Sequence, residues 1–307
     1  ISACLVGSEM CIRDSFYINK WDNGEFKGDA ISTTSELVKI SSDGNLGLQE
    51  GQKFERGGIY RFTVDVTKGN TKAVLTVEKV GKVDLPAPDI FFGNSKMEVT
   101  DTDIYKSDQV FTRGQMITVT GIDNLNEWWI DPDFFEKQSD GTLKFLPING
   151  DYRVTANGIL KYFSVIALKD GKPAKLQDDG TGAIWAIGKG IGKPSVTSSE
   201  VGWETGKALC LAQVAPKKYQ LTLKAGETLK TSGDWEAISF KFFYQNDWGG
   251  EFSNYASNTL VEQLKLTGSG NLEMQDNKAF EEGGVYRFTI DVTNGNANAI
   301  LKVEKIN

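Results

Sequence analysis

Short runs of alternating apolar and polar residues recur along this chain, and they predict β-strands. Tyr60, Phe62, Val64 and Val66 are separated by single polar residues, a period of two that is typical of a strand with one buried face. Turn-forming pairs such as Asn149-Gly150 separate many of the runs. Further strands are predicted at 73–79, 115–120, 143–146, 152–156, 162–168, 184–187, 208–213, 219–223, 238–244, 264–267, 286–292 and 299–304. The pattern predicts an all-β chain built from tandem β-sandwiches.

A long internal repeat sets the domain organisation. Residues 57–67, GGIYRFTVDVT, correspond to residues 283–293, GGVYRFTIDVT. The register holds over 24–80 against 250–306, where about half of the positions are identical. The match ends upstream at Phe16, so residues 16–82 are interpreted as the truncated C-terminal part of a β-sandwich module.

The remaining boundaries follow from local composition. The run 4–15, CLVGSEMCIRDS, resembles a translated sequencing adapter, and residues 1–15 are therefore interpreted as a non-native segment. Pro86 and Pro88 predict an extended linker over 83–89. We expect an immunoglobulin-like β region at 90–182 and a complete module at 183–307.

Composition excludes several classes of function. The chain has no histidine, which removes Ser-His-Asp and Cys-His triads and histidine zinc sites. The net charge of −7 argues against a nucleic-acid partner, and no apolar run is long enough to cross a membrane. Cys210 lies in an apolar run and is predicted to be a small buried side chain. No cofactor and no metal site is predicted.

Four features between residues 183 and 252 occur in an order that resembles a known family. A strand ending in Gly188 precedes the Gly202-Trp203 pair; then come a strand leading into Lys-Ala-Gly at 224–226 and a Phe-Lys-Phe strand before Trp248-Gly249. This order is similar to that of the carbohydrate-binding modules of SusE/SusF-type outer-membrane lipoproteins of Bacteroidetes. The resemblance covers residues 16–80 and 183–307.

The resemblance implies carbohydrate-binding-module-like sandwiches and non-catalytic binding of poly- or oligosaccharides. It further implies display on the outer face of the outer membrane through an N-terminal lipid anchor. The expected partners are a glycan, an outer-membrane transporter and other glycan-binding proteins of the same glycan-utilisation system.

Aromatic and amide or charged side chains are the groups that hold sugars, because sugar rings have apolar C–H faces and polar rims. Trp203 is the expected platform, since it follows a strand end in a polar stretch. The run 188–194, GKGIGKP, is expected to be a loop whose backbone a ligand can approach. The full expected ligand-binding set is Trp203, Trp185, Trp248, Lys189, Lys193 and Tyr255.

Two alternative functions remain open, and the first is a carbohydrate-active enzyme (a glycoside hydrolase) or an accessory domain. The run 128–136, WWIDPDFFE, joins aromatics to carboxylates, which are the materials of a glycoside hydrolase site. Acid and base normally come from separate elements, so a structural role for Asp131 and Asp133 is favoured and no enzyme activity is expected. The other alternative is a structural adhesin of tandem immunoglobulin-like domains.

Overall fold

The computed structural model describes residues 30–42, 44–49, 52, 54–55, 57–83, 87–232 and 237–307. The predicted non-native segment 1–15 and the start of the truncated module at 16–29 lie outside the described residues. The chain divides into two compact units. The first unit consists of the residues up to Ala87 together with Asp101–Asp103, and the second unit consists of Pro88–Thr100 together with Ile104–Asn307. No helix in the described part of the chain has the length and apolar content of a membrane span.

The predicted all-β fold class is confirmed. The strands up to residue 101 are β1 Ile31–Thr33, β2 Val38–Ile40, β3 Leu46–Leu48, β4 Gly58–Asp65, β5 Ala73–Lys82, β6 Phe91–Phe92, β7 Ser95–Lys96 and β8 Glu98–Asp101. Those from 104 to 173 are β9 Ile104–Phe111, β10 Met116–Ile117, β11 Val119–Thr120, β12 Phe135–Lys137, β13 Leu143–Phe145, β14 Gly150–Asn157, β15 Tyr162–Lys169 and β16 Lys172–Pro173.

The strands from 185 onward are β17 Trp185–Gly192, β18 Glu200–Gly202, β19 Leu209–Cys210, β20 Ala212–Ala215, β21 Lys218–Lys224, β22 Ser239–Phe243, β23 Ser257–Thr259, β24 Leu264–Leu266, β25 Leu272–Met274, β26 Val285–Asp291 and β27 Ile300–Lys305. One α-helical turn, α1, spans Val196–Ser199. Short 3-10 helices lie at Asn70–Lys72, Leu125–Glu127, Thr205–Lys207 and Asn296–Asn298.

The first unit is built on β4, the strand that the alternating pattern predicts. β4 pairs antiparallel with β5, and β1 runs parallel to β5 on its other side. The side chains of Tyr60 and Phe62 are buried with Leu75, as the alternation requires. β4 ends at Asp65, whose Oδ1 accepts a hydrogen bond from the Thr67 N–H, and Val66 beyond it is exposed.

The sequence repeat is also a repeat of strand order. In the second copy β26 pairs antiparallel with β27, and β23 runs parallel to β27, which matches β4, β5 and β1 of the first. The β2–β3 hairpin likewise corresponds to β24–β25. The two copies therefore share topology as well as sequence.

The second unit contains a middle region, formed by β6 to β16, and a C-terminal sandwich, formed by β17 to β27. The middle region has a five-stranded sheet, β16-β15-β14-β9-β8, and two three-stranded sheets, β11-β6-β7 and β10-β13-β12. Aromatic rings fill its interior; Phe92, for example, lies 5.2 Å from Phe163, centroid to centroid. β9, β12 and the short strands β6 to β8 were not among the predicted strands, and β16 lies within residues 170–182, which were expected to be a loop.

The C-terminal sandwich has two facing sheets. One contains β18-β17-β22-β25-β24 with β19 also paired to β17, and the other is β20-β21-β26-β27-β23. Phe240 of the first sheet and Phe288 of the second meet edge to face at 5.5 Å. The middle region joins this sandwich through shared packing, since Ala212 lies in the middle region's apolar cluster and Leu176 in that of the sandwich.

The structure contradicts the expectation that the glycine-rich run 188–194 is a loop. The run was predicted to be a ligand-facing loop, but residues up to Gly192 belong to β17 and are mostly buried. A Cβ on Gly188 would lie 2.4 Å from the Phe240 Cα, and one on Gly190 would lie 2.5 Å from the Ala237 carbonyl oxygen. Neighbouring protein backbone therefore occupies the space that the missing side chains leave.

We predict that Gly188→Ala destabilises the protein by about 2–5 kcal/mol, because it adds a backbone clash to a residue with a φ of +141°. Gly206→Ala is the matched control, since a Cβ there meets nothing within 4 Å, and it should change stability by less than about 0.5 kcal/mol. Urea unfolding of the full chain measures both. Equal stability of the two variants would contradict the tight packing of β17.

Candidate functional site

Two tryptophans come together at one edge of the C-terminal sandwich. Trp203 follows directly after β18, where Gly202 has a φ of +56°. Trp248 lies in the connection that follows β22, between Phe243 and Glu251, which form an isolated bridge. The two residues reach the same place because β18 and β22 flank β17 on opposite sides.

The connection that carries Trp248 is held by hydrogen bonds of its own. The Trp248 N–H donates to Asp247 Oδ1 at 2.8 Å, and Gln245 Nε2 donates to the Trp248 carbonyl oxygen at 2.7 Å. The Tyr244 N–H donates to the Gly250 carbonyl oxygen at 2.7 Å and closes the turn. These contacts fix the backbone of Trp248, a residue that is 52% exposed.

The two indole rings form an offset pair. Their centroids are 6.2 Å apart and their planes are inclined by 25°, within the range of offset-stacked aromatics. Trp203 is partly buried against the sandwich interior, and the Phe243 ring supports Trp248 from its edge at 6.1 Å. A third ring inserted between the tryptophans would need a separation of about 7–8 Å, so the pair presents outer faces and does not form a slot.

The structure contradicts the expectation that Trp185 is a ligand platform. The Trp185 side chain is only 2% exposed, and its Nε1–H donates to the Ala174 carbonyl oxygen at 3.0 Å. It lies in β17, which has strands on both sides, so its ring packs into the sandwich interior and offers no face to a ligand.

The other three expected contacts have different surroundings. Lys189 is partly exposed on β17. The Tyr255 ring stacks on Phe252 at 5.8 Å, and its hydroxyl is buried with no hydrogen-bond partner in the described part of the chain. Burial raises the pKa of that hydroxyl. The expectation that Lys193 contacts a ligand is wrong. The residue is 6% exposed, and its Nζ points to Asp131 in the interior.

Lys193 forms a buried ion triad with the two aspartates of the middle region. Its Nζ lies 2.7 Å from Asp131 Oδ2 and 3.2 Å from Asp133 Oδ2. Asp133 also accepts hydrogen bonds from the Thr222 N–H and hydroxyl, both at 2.6 Å, and from Gln220 Nε2 at 2.7 Å. The carboxylates considered for a hydrolase are thus committed to one lysine and to β21, which is a structural arrangement.

Burial and pairing act differently on the three groups. Burial raises the pKa of Asp131, and the neighbouring Lys193 does not fully offset that effect. Burial also acts to raise the pKa of Asp133, but Lys193 and the donors on Thr222 and Gln220 outweigh it and hold that pKa below its usual value. For Lys193, desolvation is outweighed by the two carboxylates, so its pKa is raised. The triad therefore centres on charged Lys193 and ionised Asp133.

Protein-family models identify both parts of this architecture. The model described as "Domain of unknown function (DUF5121)" matches residues 7–67 and 179–293, more than half of the chain. The chain belongs to the DUF5121 family. A second model, "Domain of unknown function (DUF5125)", matches residues 85–176, the middle region. The DUF5121 match begins at residue 7, inside the segment interpreted as non-native.

Comparison of the DUF5121 chain with curated proteins gave no match. Among solved structures, it is similar to the crystal structure of SusF from Bacteroides thetaiotaomicron, at 14% sequence identity and a TM-score of 0.27. The aligned part covers 88% of this chain and spans 65% of the length of that one.

We predict that Lys193→Met destabilises the DUF5121 chain by about 3–5 kcal/mol, because it leaves two carboxylates buried without a cation. Lys207→Met is the matched control, since Lys207 forms an exposed pair with Glu204 and should contribute no more than about 1 kcal/mol. Adding Asp131→Asn to Lys193→Met should recover part of the loss. Urea unfolding at neutral pH checks all three, and equal losses in the two lysine variants would show that the triad is not a stabilising feature.

The pKa of Asp133 gives a second prediction. Because its folded pKa lies below the unfolded value of 3.8, its contribution is present above that value and is lost as the pH falls through the folded pKa. The contribution of Asp131 has the opposite sign, since its raised pKa stabilises the fold at low pH and the effect is lost as the pH rises.

Asp133→Asn should therefore flatten the rise in unfolding free energy with pH below the unfolded pKa of 3.8. Thr222→Val, which removes one donor to Asp133, should give an intermediate slope. The measurement is urea unfolding at a series of pH values. Identical slopes in wild type and both variants would refute the assignment.

Proposed function

We propose that this DUF5121 chain binds poly- or oligosaccharides without catalysis, through a platform formed by Trp203 and Trp248. The observation that carries the proposal is the pairing of a half-exposed indole with a second, nearly parallel indole at the sandwich edge. Sugar rings stack their C–H faces on such surfaces, while their hydroxyls bond to polar groups at the rim.

The exposure of Trp248 requires a physical reason. Burying a large aromatic residue stabilises a protein, so leaving Trp248 52% exposed on a hydrogen-bonded turn forgoes stabilisation that burial would give. A fixed turn also reduces the ordering cost of binding. Both features are expected of a ligand platform.

Polar groups at the rim complete the proposed site. Glu204 is adjacent to Trp203 and Asp247 is adjacent to Trp248, and both are exposed. Lys189, partly exposed on β17, is kept as a proposed contact to sugar hydroxyls. Trp185, Lys193 and Tyr255 are left out, because their functional atoms are buried.

The cellular role is the wider part of the proposal. The order of motifs between residues 183 and 252 resembles SusE/SusF-type modules, which implies display at the outer face of the outer membrane. In that role the chain captures glycan for a transporter and for other binding proteins of the same system.

Trp248→Ala should weaken polysaccharide binding about five- to thirtyfold, since one aromatic contact contributes on the order of 1–2 kcal/mol. Affinity gel electrophoresis against a panel of polysaccharides measures the effect, with thermal melts run in parallel. Trp203→Ala should act in the same direction, with a larger loss of stability because that ring is partly buried.

Met116→Ala is the matched control, because Met116 is 50% exposed but lies on β10 of the middle region. It should retain full affinity. The proposal fails if a polysaccharide that binds wild type binds Trp248→Ala equally well, or if no polysaccharide of the panel retards the wild-type chain.

A further inference from the structure

A cavity of about 220 Å³ lies between the middle region and the C-terminal sandwich, apart from the tryptophan pair. One wall is the outward face of β15, with Tyr162, Ser164 and Ile166. The segment 206–210 and Trp129 also line the cavity. Pockets for drug-sized ligands occupy about 300–1,000 Å³, so this volume restricts an occupant to one small ring.

The walls combine aromatic and hydroxyl groups. Trp129 is held by a hydrogen bond from its Nε1–H to Glu227 Oε1 at 2.7 Å, and its N–H donates to the Lys161 carbonyl oxygen at 2.7 Å. Tyr162 and Ser164 lie on the same face of β15 and both line the cavity, and their side chains are hydrogen-bonded to each other. Ser199 also lines the cavity. Such walls suit a molecule with an apolar face and several hydroxyl groups.

Each charged side chain that lines the cavity has an ion-pair partner. Asp131 and Lys193 line it and are joined at 2.7 Å, while Asp133 behind them is saturated by Lys193, Thr222 and Gln220. Lys207, also in the lining, is paired with Glu204 at 3.0 Å. A charged ligand would have to compete with a buried ion pair, which is costly, so a neutral ligand is favoured.

We propose that this cavity is a second binding site, and that it takes one neutral monosaccharide unit. It is defined by different residues from the Trp203–Trp248 platform and does not depend on that platform being a binding site.

The proposal is tested on the full chain by saturation-transfer NMR and calorimetry with glucose, galactose, mannose and xylose as probes. Glucosamine and glucuronic acid serve as the cationic and anionic analogues. We expect at least one neutral sugar to bind and to raise the melting temperature, with the charged analogues weaker. Ser164→Phe fills the cavity from β15 and should weaken binding more than about tenfold.

Val110→Phe is the matched control, because Val110 is 72% exposed on β9 and does not line the cavity. It should retain binding. If Ser164→Phe lowers the melting temperature strongly, Gly206→Phe replaces it, since a Cβ at that lining position meets open space.

The proposal is overturned if no neutral monosaccharide binds the wild type, if binding survives the cavity-filling variant that keeps its fold, or if glucosamine or glucuronic acid binds more tightly than every neutral sugar. Loss of monosaccharide binding in Trp248→Ala would assign the sugar to the tryptophan platform and would also overturn it. Conversely, loss in Ser164→Phe together with unchanged polysaccharide binding in Trp248→Ala would support the cavity and refute the platform.

Discussion

The ammonium group of Lys193 lies between the carboxylates of Asp131 and Asp133 in the interior of the second unit. Removing charged groups from water costs several kcal/mol for each ion, and only close pairing with additional donors offsets that cost. Those donors come from Thr222 and Gln220 on β21, so one cluster connects the middle region to both sheets of the sandwich. Any displacement of the middle region against the sandwich would leave a buried charge unpaired, which is why this contact fixes their relative placement.

The local alternation of apolar and polar residues predicted most of the strands. It did not predict which residues from distant strands come into contact. The alternation at Tyr60 and Phe62 predicted β4, and the repeat predicted that the same topology recurs at β26. The glycine run at 188–192 was assigned to a loop, because glycines that accommodate a ligand and glycines that accommodate a neighbouring strand look alike in sequence. The Cβ positions of Gly188 and Gly190 distinguish the two cases only once Phe240 and Ala237 are placed.

The residues of the candidate site were also difficult to predict from local sequence, because their exposure depends on strand pairing. Trp185 and Trp203 both follow or occupy strands, and only the pairing of β17 on both sides buries Trp185 while Trp203 stays at an edge. Lys193 looked like a surface lysine beside a glycine run, since its partners are about sixty residues away in sequence. The sequence did single out two of the three members of the triad, because Asp131 and Asp133 lie among aromatics in the run 128–136.

The ion triad and the tryptophan pair both lie next to β17. At its carboxyl end Lys193 enters the ion triad, and along its edge the register with β18 shifts between Gly188 and Gly192, so that the neighbouring strand ends at Gly202. That shift lets the Gly190 N–H donate to Glu200 Oε1 at 2.8 Å, which helps to fix β18 just before Trp203. The glycines of β17 therefore have two consequences: they allow the close approach of the backbone at Phe240 and Ala237, and they lie where the register with β18 shifts before Trp203. The geometry of the exposed tryptophan pair and the integrity of the interior triad depend on the same eight-residue strand.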